Sequence, residues 1–168
     1  SDNIKAGCLD AVEVTTTVAG GTQHDFVLQF VRKPKIYGYV ILPSTAQVTS
    51  YGTWVSVEGT KSGQRFPTAW GGAWFQGSYG WLTPKATGVF TLEVDSGRVY
   101  NLKARAFGIG TVSLDGVSVG STDIGTLGVD NTGTVEGGNK VVGGVTLAFS
   151  TTVAQGISGT INVEGNSL

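Results

Sequence analysis

Residues 87–106 read T-G-V-F-T-L-E-V-D-S-G-R-V-Y-N-L-K-A-R-A, and this stretch decides the fold class. Two runs, Val89–Val94 and Val99–Ala106, alternate with the period of two that gives a β-strand one buried and one solvated face. Asp95-Ser96-Gly97 between them is turn chemistry, so the pair is expected to form a hairpin. The same rhythm continues outward. Upstream, Thr53–Val57, Lys35–Leu42 (bounded by Pro34 and Pro43), His24–Val31 and Ala11–Val18 read as strands, with a turn at Gly20-Gly21. Downstream, Val117–Val119, Ile124–Val129, Val141–Phe149 and Ile157–Val163 read likewise. Roughly ten short strands at regular spacing predict an all-β chain, a Greek-key or Ig-like β-sandwich.

Composition agrees. Glycine is abundant, 27 of 168 residues, and charged residues make up only 14%, against usual shares of ~7% and ~25%. Helices need charged outer faces that this chain lacks. With 40% hydrophobic residues, one domain spanning 1–168 can bury a core. The net charge is −1 with no basic run. That excludes a nucleic-acid reader, which needs a concentrated cationic face. No apolar run approaches the ~18 residues of a membrane span. Cys8 is the single cysteine, so no disulfide forms within one chain.

One tract breaks the strand rhythm. Arg65–Trp81 reads R-F-P-T-A-W-G-G-A-W-F-Q-G-S-Y-G-W. Its glycines argue against a regular strand, while its rings demand burial or a partner. Trp70, Trp74, Phe75, Tyr79 and Trp81 are therefore the candidate ligand or interface residues.

Four segments carry a resemblance to a known family: Ile36–Val40 (I-Y-G-Y-V), Thr53–Gly59 (T-W-V-S-V-E-G), Thr87–Leu92 (T-G-V-F-T-L) and Ser96–Ala104 (S-G-R-V-Y-N-L-K-A). In order and spacing they resemble the carboxypeptidase-regulatory-like domain, whose members are transthyretin-like Greek-key sandwiches in secreted proteins. The resemblance implies a core over residues 34–130, with the aromatic segment 61–86 as an insertion outside the family pattern. Residues 1–33 and 131–168 flank that core. Ala11–Gln29 resembles the last strands of such a repeat, yet comes first. Gly156–Gly165 resembles the first strand of the next repeat, yet comes last.

Strands without a sheet carry unpaired N–H and C=O groups and must find partners. Val12, Val14, Phe26, Leu28, Ile157, Ile161 and Val163 are the apolar positions expected to enter a neighbouring copy. A head-to-tail exchange that does not close builds a polymer.

No catalytic constellation is legible. His24, the only histidine, stands beside Asp25 on an alternating strand, so the two point to opposite faces. Glu93 and Asp95 share a face at a spacing too generic for a glycosidase pair. An enzyme is not expected, and no cofactor is required. Asp115, Asp123, Asp130 and Asn131 lie in Gly- and Ser-rich turns of the kind that give calcium its oxygen ligands. Turn geometry alone also selects these residues, and that reading is preferred.

The sequence thus predicts a secreted, cell-surface structural subunit that polymerises with copies of itself by strand complementation, with calcium as the candidate cation. In general character it is similar to the cannulae, tube-forming subunits of hyperthermophilic archaea. The alternative is a carbohydrate-binding module or adhesin that meets glycans through the Trp/Tyr-rich tract.

Overall fold

The structure, a computed structural model of the chain, describes residues 9–10, 20, 31–43, 51–77 and 85–150. Its strands are β1 (Leu9–Asp10), β2 (Val31–Arg32), β3 (Lys35–Ile41), β4 (Thr53–Lys61), β5 (Ala69–Phe75), β6 (Thr87–Glu93), β7 (Arg98–Ala106), β8 (Gly110–Val119), β9 (Thr126–Val129), β10 (Asn139–Val142) and β11 (Val145–Ala148). A three-stranded sheet, β11-β3-β6, packs on a four-stranded sheet, β5-β4-β7-β8. The chain is an all-β sandwich.

Alternation builds the core. β3 contributes Ile36 and Val40, β4 Val55 and Val57, β5 Ala69, Ala73 and Phe75, and β6 Phe90 and Leu92. β7 adds Tyr100, Leu102, Ala104 and Ala106, and β11 adds Leu147. Each fully buried Leu or Phe contributes ~1.5–3 kcal/mol relative to an exposed one. Gly38 and Gly71 let the layers close. The space where a Gly38 Cβ would stand is taken by the Phe90 ring, 2.5 Å away, and at Gly71 by the Thr91 carbonyl oxygen. Strands β5 and β6, edges of different sheets, therefore touch backbone to backbone.

Three expectations are corrected. The stretch 87–106 is no hairpin: β6 pairs with β3, and β7 pairs with β4 and β8. Asp95-Ser96-Gly97 is instead a corner that carries the chain from one sheet to the other. The corner is pinned from both layers. The Asp95 carboxylate holds Lys33, which precedes β3, and Lys61, which ends β4. The Asp95 N–H donates to the buried Tyr100 hydroxyl at 3.0 Å. Alternation is the same in a hairpin and in such a corner, so the pattern alone cannot separate them.

Second, the glycine-rich tract does hold a regular strand. Ala69–Phe75 pairs along its whole length with β4, Trp54 opposite Trp74 and Glu58 opposite Trp70. Third, β8 runs the full span 110–119, where only its end, 117–119, reads as a strand in sequence. A bulge at Asp115-Gly116 opposite Asn101 hides the alternation: Gly116 takes φ +77° and donates its N–H to Asn101 Oδ1.

The segment 124–148 has an unusual course. Ile124 pairs in parallel with Ile36, and Val145 pairs in parallel with Gly38. Between them the chain leaves the sheet edge, forms the antiparallel β9–β10 hairpin, and returns. The exit and return meet at a glycine neck. A Cβ on Gly125 would lie 2.7 Å from the Gly144 Cα, and Gly125 and Gly143 both have positive φ. The excursion lies against the outer side of the three-stranded sheet. There Val141 donates its N–H to the Tyr39 hydroxyl at 2.7 Å, the same hydroxyl donates to the Val141 carbonyl at 3.2 Å, and Lys85 reaches the Val135 carbonyl.

β1 and β2 pair with each other, Leu9 opposite Arg32 and Asp10 opposite Val31. Among the described residues they join neither sheet of the sandwich. Residues 11–19, 21–30 and 151–168, with the expected exchange residues Val12, Val14, Phe26, Leu28, Ile157, Ile161 and Val163, lie outside the described residues, as do Cys8 and His24.

Candidate functional site: an aromatic face and an open edge

The solvent side of the four-stranded sheet is built by the outward half of the same alternation that fills the core. β5 presents Trp70, Gly72 and Trp74 outward. β4 presents Trp54, Ser56 and Glu58, and β7 presents Lys103 and Arg105. Three tryptophans on one open face are far from the usual solvated surface of a sandwich.

Two of the rings lean over neighbouring glycines. The indole of Trp54 occupies the space above Gly72 where a Cβ would stand, and the indole of Trp74 occupies the same space above Gly52. Trp54 is 52% exposed and Trp74 50%, each covered in part by the glycine it leans over. Trp70 is 67% exposed. It stands four residues from Trp74 on the same strand face, about 13 Å at strand rise. Gly72, one of the glycines that argue against β5 as a strand, is what makes room for the Trp54 ring.

Polar groups run beside the rings. Arg105 pairs with Glu58 at 3.2 Å, and the Ser56 hydroxyl donates to the Arg105 carbonyl. Trp54, Ser56, Arg105, Phe107, Ile109 and Thr111 line a shallow hollow of about 600 Å³. Phe107, at the β7–β8 turn, is 98% exposed.

Of the residues singled out in sequence, Trp70 and Trp74 stand on this face. Phe75 does not: it is fully buried in the core, because its place in β5 falls on the inward half of the alternation. Tyr79 and Trp81 lie outside the described residues. Trp54, Arg105 and Phe107 were not singled out. The signal for Trp54 was present, since it alternates with Val55 and Val57 on the same side as Ser56 and Glu58.

The four turn residues considered for calcium are not brought together. Asp115 sits on the β8 bulge. Asp123 accepts from Arg32 at 2.9 Å and from the Lys35 N–H. Asp130 folds its own loop, accepting from the Thr132 hydroxyl and the Val135 N–H, and these bonds lower its pKa to about 2. Asn131 is exposed beside it. Among the described residues no group of three or more His, Cys, Asp or Glu is placed to hold a metal ion.

The sheet edges differ in how they are guarded. β8 carries the bulge and Asp115, and β5 and β6 crowd each other. β11, Val145-Thr146-Leu147-Ala148, has no charge, no proline and no bulge, and none of the described strands pairs with its outer edge. Among the described residues no helix is long and apolar enough to cross a membrane. No family model matches the chain, and neither a curated protein nor a solved structure matches it.

Proposed function

We propose that this chain is a non-catalytic structural subunit of an extracellular polymer, assembling with copies of itself by β-strand addition. The observation that carries the reading is the uncharged edge of β11, on which none of the described strands pairs. An edge strand without charge, proline or bulge is a template for another strand. Its backbone groups gain partners when an extended segment adds to it. The β1–β2 pair is compatible with the same reading, because among the described residues it is a two-stranded unit of its own and adds to neither sheet of the sandwich. The net charge of −1 adds little long-range repulsion between copies.

The test is negative-stain electron microscopy and light scattering of the purified chain at rising concentration, with and without calcium. Filaments, tubes or sheets are expected. The double variant Thr146→Lys/Ala148→Lys places two charges at exposed positions of β11. It should stay monomeric with an unchanged far-UV spectrum. A wild-type chain that remains monomeric under all these conditions defeats the reading.

A further inference from the structure

We propose that the outer face of the four-stranded sheet binds a linear, uncharged polysaccharide, laid along β5 across Trp74, Trp54 and Trp70. This site is separate from the β11 edge and does not depend on the assembly reading.

Three features choose this occupant. The first is ring orientation. A protein partner is usually gripped by side chains that project as knobs into pockets. Here the Trp54 and Trp74 indoles lean over Gly72 and Gly52, and each stays half exposed. A sugar ring presents a flat face of polarised C–H bonds, which is the complement of an electron-rich indole face. The second is the polar row. Ser56, Glu58 and Arg105 stand beside the rings, giving donors and acceptors at the level where the hydroxyls of a stacked sugar would project. The third is charge. The Arg105 guanidinium holds Glu58 at 3.2 Å and Lys103 stands opposite the same Glu58, so the row mixes both signs and offers hydrogen bonds to neutral hydroxyls without a concentrated charge for an anion. Shape adds the word linear. The platform is open and strip-like, with about 13 Å from Trp74 to Trp70, so it fits an extended chain of several sugar units better than a single ring.

The experiment is native affinity electrophoresis of the full-length chain in gels containing hydroxyethylcellulose, xylan or alginate, with glucose as a competitor. Retardation by a neutral linear polymer, not reversed by glucose, is expected. Trp70→Ala and Trp54→Ala should each weaken it about tenfold or more while keeping the far-UV spectrum. Trp70 is the safer variant because it lies mostly outside the core. Retardation by alginate alone overturns the uncharged assignment. No retardation in any gel, or wild-type retardation in both variants, overturns the site. Loss of self-assembly in Trp70→Ala without any glycan retention assigns the face to a contact between copies and also overturns it.

Discussion

The Tyr39 hydroxyl helps fasten the β9–β10 excursion to the sandwich. Tyr39 both accepts from the Val141 N–H and donates to the Val141 carbonyl. Tyr39→Phe removes both bonds and leaves a part-buried N–H unpaired, which should cost about 1–2 kcal/mol. Urea unfolding measures that loss, and faster amide exchange at Val141 localises it. Asp95 is another residue on which separate elements converge. The bonds from Lys61 and then Lys33 hold its pKa below the ordinary carboxylate value. The sign follows: a lowered folded-state pKa contributes stability above the unfolded value, lost as pH falls through the folded one. Asp95→Asn should therefore lower stability by about 1–2 kcal/mol at neutral pH. The gap between variant and wild type should close on acidification below the ordinary carboxylate range. An unfolding series across pH reads both effects.

At the scale of elements, β5 shows what the sequence revealed and what it withheld. The cluster of Trp70, Trp74 and Phe75 announces an aromatic tract, but glycine content hides the strand that carries it and with it the inward turn of Phe75. Propensity counts Gly71 and Gly72 as liabilities. Packing makes them requirements, one for the Thr91 carbonyl and one for the Trp54 ring. Gly71→Ala should cost about 2–3 kcal/mol by forcing β5 and β6 apart, a loss that thermal unfolding would register. The corner at 95–97 was illegible for a different reason. Its lock depends on Lys33 and Lys61, distant in sequence, and no local pattern encodes their meeting. By contrast, β3, β4, β6 and β7 were readable because each alternates cleanly against a single core. The inward turn of Phe75 was readable by the same count, had the tract been granted a strand.

At the scale of the molecule, the proposed assembly of so weakly charged a sandwich would run through surfaces and edges. Self-association should respond weakly to salt. Raising ionic strength from 0.01 M to 1 M shortens the screening length from ~30 Å to ~3 Å, yet light-scattering rates should change by less than about threefold. A steep salt dependence would point to charged contacts instead.

The glycine neck also has a consequence for how the chain can be cut. Ile124 stands opposite Ile36 and Val145 opposite Gly38, so a single residue suffices to bridge them in register. Deleting residues 126–144 would leave Ile124-Gly125-Val145 running as one uninterrupted parallel edge. The intervening ornament is a modular insert, open to exchange for foreign sequence, and the scaffold beneath it should fold without it.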